Sequence, residues 1–265
     1  MKKLILFAVV FFTPFLTYSQ NIVEALSLGK VISEKTDSIK TVNIESFDPT
    51  YFVLGTLSDY MGRFAYVNRT MQVDRYYPYE KPLVDYLTDY IKTELDIEVN
   101  TIFEETNHSK MFSEELSKTL NSFYGEKDKL IDSKFETDEQ INSFLAGVYY
   151  RFGQKLDTSI YKIQLANSPK HQKCYELLKQ IHCHKIFYKY LRNIPAQFIL
   201  YFEPTNELRG YLDAIEPYRM VIEESRIDQI LKILDITKEE VEELEKNFNR
   251  TKDDEIKAIK NAFDY

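Results

Sequence analysis

The chain has no tryptophan, two cysteines, seven glycines and eight prolines in 265 residues. So few glycines leave little material for glycine-rich phosphate loops. No Gly-x-Gly-x-x-Gly, Walker-type Gly-Lys-Ser/Thr, His-Glu-x-x-His, Gly-x-Ser-x-Gly or EF-hand loop is present. Positive charge is also short: 34 basic residues face 42 acidic ones, for a formal net charge of −8. A surface that tracks phosphates needs a basic excess somewhere, so this balance argues against nucleic-acid partners. Long apolar runs are missing as well. The clearest, Leu4 to Phe12, falls short of the roughly 20 residues that cross a bilayer as a helix. No membrane span is expected, and no cofactor or metal is implied.

That short run has a different reading. Lys2 and Lys3 precede it, and Thr13-Pro14 and a polar exit through Ser19-Gln20 follow it. These are the parts of a secretory signal peptide, so residues 1–19 are expected to be removed near Ser19/Gln20. The protein is then expected in the periplasm or outside the cell.

An exported chain with two cysteines invites a disulfide. Cys174 and Cys183 argue against one. On a single helix they would stand about 13 Å apart along the axis, whereas a bridge spans Cα separations of about 4.4–6.8 Å. Two buried free thiols are the expectation.

With a hydrophobic fraction of 44%, the chain can bury a core without staples. Helix signals dominate residues 20–156. Asp48-Pro49-Thr50 is a helix start, and residues 51–71 follow with near-helical apolar spacing. Pro82 opens the next helix, and a third covers 110–123. Thr137-Asp-Glu-Gln140 is a capping box, followed by one apolar face through Ile141, Leu145, Val148, Phe152 and Leu156. Gly147 and Gly153 inside it suggest close approach of a neighbouring backbone. Over 157–216 the period changes. Ser159–Ala166, Lys185–Leu191 and Gln197–Phe202 read as strands, with a helix over 170–181. Residues 217–265 return to helix, with starts at Thr237 and Thr251. The fold class is therefore α+β, predominantly helical with an embedded β-α-β-β unit at about 158–203. No internal repeat is visible, and the regions are expected to pack as one domain.

Candidate sites are sparse. His171, Cys174 and His182 fall near one helical face, and His182-Cys183-His184 form a local run. A metal site of this kind normally needs a second clustered pair of ligands, which is absent. Ser168 beside His171 reads more simply as a helix cap than as a nucleophile. Acid pairs such as Asp85 and Asp89 are expected by chance among 42 acids.

The aromatic content stands out: twenty tyrosines and eighteen phenylalanines. The segment Arg75-Tyr-Tyr-Pro-Tyr-Glu-Lys-Pro82 is too interrupted for a helix interior and reads as a loop. Tyr76, Tyr77 and Tyr79 are its candidate ligand contacts, since a tyrosine offers a flat apolar face and a polar tip. The function expected from these features is a non-enzymatic envelope binding protein that takes protein, peptide or glycan. The alternative is an exported hydrolase with its site near His171, His182 and His184.

Overall fold

The computed structural model describes residues 43–66, 68–103, 108–234 and 238–264. The signal-peptide segment and the Thr237 cap lie outside them. The described chain is α+β, mostly helical with two small antiparallel sheets. Residues 39–222 form one compact unit, and a second includes residues 223–265.

Helix α1 (Pro49–Thr56) starts where expected: the Asp48 carboxylate accepts from the backbone N–H of Thr50 and Tyr51. It stops well before residue 71, because Leu57 turns extended. The ε-ammonium of Lys170 donates to the carbonyls of Leu54, Gly55 and Leu57, closing off its last turn. A cation there also suits the negative end of the helix dipole.

Strand β1 (Gln72–Tyr76) follows, then α2 (Lys81–Leu95), β2 (Asn100–Ile102), β3 (Ser109–Phe112) and α3 (Glu114–Asn121). Pro82 does sit in the first turn of α2, which buries Leu83, Val84, Leu87, Tyr90 and Ile91. The other elements correct the sequence reading. Arg75 and Tyr76 belong to a strand instead of a loop, and the helix expected over 110–123 yields its first residues to β3. Ser113 caps α3 by accepting from Leu116 N–H.

Helix α4 (Asp138–Phe152) opens on the expected capping box, Thr137 and Gln140 bonding reciprocally at 3.2 Å. It ends at Phe152, and Gly153 begins strand β4 (Gly153–Lys155). After β4 come β5 (Tyr161–Ala166), α5 (Lys170–Gln180), β6 (Ile186–Leu191), β7 (Gln197–Phe202) and α6 (Asn206–Leu234). The strands and helix expected over 158–203 are thus present. Thr205 Oγ1 accepts from Leu208 N–H at the start of α6, and Pro217 lies inside that helix. Helix α7 (Lys238–Phe263) runs straight through Thr251, whose hydroxyl donates back to the Asn247 carbonyl and so starts no new helix.

The two sheets reveal a repeat that the sequence reading misses. One has strand order β1-β3-β2 and the other β4-β5-β7-β6. With β1 matched to β5, β3 to β7 and β2 to β6, both halves run helix, strand, helix, strand, strand, helix. The second half adds only β4.

The halves meet where α1 packs on α4. A Cβ on Gly55 would run into the Phe144 carbonyl oxygen and come within 2.9 Å of Gly147 Cα. A Cβ on Gly147 would run into the Phe52 carbonyl oxygen. The contact is reciprocal: each glycine meets the carbonyl of the residue three places before the other. Phe52-Val-Leu-Gly55 and Phe144-Leu-Ala-Gly147 are the two copies of one local sequence.

Candidate functional site

Beyond each crossing glycine the copies diverge in charge. Four residues after Gly55 stands Asp59, and four after Gly147 stands Arg151. Both are buried. They belong to an ionic network that closes the junction between the repeats.

Arg151 uses its full fork. Nε and Nη2 grip the Glu80 carboxylate at 2.7 and 2.9 Å, and Nη1 meets Asp74 at 2.6 Å. The remaining donors reach the carbonyls of Thr56 and Arg75 at 2.9 and 2.8 Å. The guanidinium also lies over the Tyr76 ring at 4.7 Å. Burial works against its charge, but Glu80 and then Asp74 overcome that and hold its pKa well above the ordinary value.

Asp74 accepts further from Tyr66 Oη and Ser58 N–H. Lys170 approaches Asp59 at 3.3 Å, and Tyr124 donates to the same carboxylate. Burial lowers the Lys170 pKa, with Asp59 pulling the other way. Arg63, fully buried, bonds Asn121 and the carbonyls of Gln72 and Val73.

Three acids and three cations therefore balance. Among the described residues no group of three His, Cys, Asp or Glu stands ready for a metal. This donor set does not fit a divalent cation, because Lys170 and Arg151 already hold the carboxylates that would bind one. The chemistry of the junction is that of a rivet. Arg151 and Lys170, both from the second repeat, fasten onto the backbone and acids of the first.

What this rivet holds in place is a pair of sheets. Asp74, Tyr76, Ser109 and Met111 are buried on the inner face of the first sheet. Strand alternation then sends Gln72, Arg75, Asn100, Ile102, Lys110 and Phe112 to the outer face. In the second sheet Tyr161, Ile163, Leu165, Phe198, Leu200 and Phe202 share the inner face. The outer face carries Gln154, Lys162, Gln164, Phe187, Lys189, Leu191, Gln197, Ile199 and Tyr201. At its centre Lys162, Ile199 and Tyr201 are buried, while Gln164 and Lys189 are exposed.

Not one Asp or Glu occurs among these outward positions, in a chain with 42 acids. Instead they hold amides, lysines, one arginine and aromatic or aliphatic groups. Whole-chain charge hides this, because acids and bases are sorted by face. Strand pairing is the signal that sorts them, and the misreading of 72–76 and 109–112 concealed it in the first sheet.

The residues singled out from sequence are dispersed. Tyr76 is 1% exposed, beneath Arg151. Tyr77 is half-exposed and stacks on Tyr79 at 5.4 Å, with the His108 ring tilted against it at 4.6 Å. His171 stacks on Phe198 at 3.7 Å, and its Nδ1 shares a hydrogen bond with Tyr188 Oη at 3.0 Å. Burial lowers its pKa to about 4. His182 and His184 are exposed beyond the end of α5. Cys174 and Cys183 are both free and buried, and burial raises the Cys174 pKa to about 12.

No family model matches the chain, and no curated protein matches it. Among solved structures, it is similar to I-DmoI in complex with DNA and Mn, at 13% identity and TM-score 0.42, covering 66% of this chain and 96% of that one. The N-terminal LAGLIDADG domain of DUF199/WhiA gives 16% identity and TM-score 0.40, covering 69% and 86%. Full-length DUF199/WhiA from Thermatoga maritima gives 16% and 0.40, covering 83% and 70%. The expectation of an exported envelope protein, secreted or periplasmic, that binds protein, peptide or glycan and no nucleic acid, and that of an exported hydrolase, do not agree with these neighbours and are corrected on that point; at 13–16% identity and TM-scores of 0.40–0.42 the neighbours themselves carry no activity, partner or location over to this chain.

Proposed function

We propose that the chain is a double-stranded DNA-binding protein whose two repeats present the accessible outward residues of their sheets to the duplex, in the second sheet those around its buried centre of Lys162, Ile199 and Tyr201. The observation that carries this reading is the absence of carboxylates from both outer faces of an acidic protein. A face that meets phosphates must exclude like charge, and amides and cations are the groups that pair with phosphate oxygens and base edges. Arg75, Lys110 and Lys189 supply charge, while Gln72, Asn100, Gln164 and Gln197 supply paired donors and acceptors.

Geometry favours DNA over double-stranded RNA. Adjacent strands lie about 4.8 Å apart, so two neighbouring strands of either the three- or the four-stranded sheet span a width that a B-form major groove of about 12 Å admits. The deep, narrow major groove of A-form RNA excludes it. The ionic junction serves this role by fixing the two sheets within one unit.

Fluorescence anisotropy with a labelled random-sequence duplex tests the proposal. Saturable binding at low salt, weaker for duplex RNA of the same sequence, is the expected result. Absence of binding to the DNA duplex contradicts it.

A further inference from the structure

Among the described residues, strand β6 closes one side of the second sheet, hydrogen-bonded to β7 alone. Edge strands are usually blunted by proline, bulges or clustered charge. β6 has neither proline nor bulge, and Lys189 is its one charge: its sequence is Ile-Phe-Tyr-Lys-Tyr-Leu, and it pairs with β7 over six residues without a register shift. Tyr188 is 37% exposed and Tyr190 49%. Of the other sheet edges, β2 and β4 are only three residues long, and β1, of five, is interrupted by a register shift between Gln72 and Asp74.

The direction of the free groups follows from the register. Glu203 N–H donates to the Lys185 carbonyl at 3.1 Å, in line with the Ile186–Phe202 pairing. In an antiparallel ladder, hydrogen-bonded and non-hydrogen-bonded pairs alternate. Phe187, Lys189 and Leu191 therefore spend their backbone groups on β7. Those of Ile186, Tyr188 and Tyr190 point away from the sheet.

We propose that β6 pairs antiparallel with β6 of a second copy of this chain, about a two-fold axis at Tyr188. The strand is self-complementary in this register. Tyr188 faces Tyr188 and Ile186 faces Tyr190, so all the outward backbone groups are used, giving about six hydrogen bonds. On the other face of the sheet, Phe187 lies opposite Lys189 of the second copy, a cation beside an aromatic ring. Centring the axis on Lys189 instead would give about four hydrogen bonds and place two lysines directly opposite, which is destabilising. The charge pattern thus selects one register, and the occupant it selects is the chain itself. The inference stands independently of the DNA reading, although a continuous sheet across the axis would double the acid-free face.

Sedimentation velocity of the full chain over a concentration series tests it, with three variants run beside the wild type. A monomer–dimer equilibrium is expected. Tyr188→Pro removes an outward N–H that β7 does not use, and shifts the chain to monomer. Phe187→Glu sets a carboxylate opposite Lys189 of the second copy twice per dimer and tightens association about threefold or more. Phe187→Lys weakens it by a similar factor. A wild type that stays monomeric up to hundreds of micromolar overturns the proposal. So does a dimer indifferent to both Phe187 variants, whatever the behaviour of Tyr188→Pro.

Discussion

A few side chains, and the lack of two, hold the repeats together. Gly55 and Gly147 let α1 and α4 touch backbone to backbone. Gly147→Ala forces a methyl against the Phe52 carbonyl and is expected to cost about 1–3 kcal/mol or more, read as a shift in the denaturation midpoint. Gly125→Ala is the control: the nearest atom to a Cβ there is the Ile131 side chain at 3.4 Å, so its melting should stay near that of the wild type. Arg151→Met strips the countercharge from buried Asp74 and Glu80. The expected loss is about 3–5 kcal/mol in urea unfolding. His171 gives the pH signature. Its folded pKa is about 4, below the ordinary value of about 6.5, so the folded chain binds fewer protons than the unfolded one between those values. Stability from this group is complete above about pH 6.5 and falls as the pH drops toward 4. His171→Gln should flatten that part of the stability–pH curve, and an unchanged curve would count against the burial of the imidazole.

At the scale of elements, period and capping were legible and context was not. The capping box at Thr137, the Asp48 cap and the strands over 158–203 all follow from local chemistry and appear as expected. Helix α1 was overestimated because the ammonium that terminates it comes from Lys170, more than a hundred positions away. Thr251 resembles a helix start, yet its hydroxyl is satisfied by the Asn247 carbonyl within a continuing helix. Tyr76 looked like a recognition residue because prolines surround it, but β1 points its ring inward. The repeat was legible in principle through Phe52-x-x-Gly55 and Phe144-x-x-Gly147. It was missed because β1 and β3 are short and lack the alternation of a half-exposed strand: buried Asp74 and Ser109 sit at inward positions. Outward residues offer the functional test at this scale. Lys110→Glu and Lys189→Glu should each weaken DNA binding about tenfold or more, equivalent to roughly 1.4 kcal/mol, while leaving the melting temperature within a degree or two. Equal affinity in both variants would remove the sheets from the interface.

Across the whole molecule, a net charge of −8 does not by itself exclude a nucleic-acid partner. Net charge governs solubility and long-range encounter, but binding depends on where the charges lie. Here the cations at the repeat junction are buried in ion pairs, whereas those on the sheets stand at outward strand positions where no acid occurs along the paired strands. The junction contributes rigidity, and in the proposed DNA complex the sheets contribute the contacts.

The salt dependence of DNA affinity tests this division most directly. Each phosphate contact made by a cation adds about 0.9 to the magnitude of the slope of log affinity against log salt. The account predicts that Arg75→Ala, Lys110→Ala and Lys189→Ala combined reduce that slope by about 2 to 3 while the fold is retained. A slope unchanged by the triple substitution, or no duplex binding by the wild type at low salt, would contradict it.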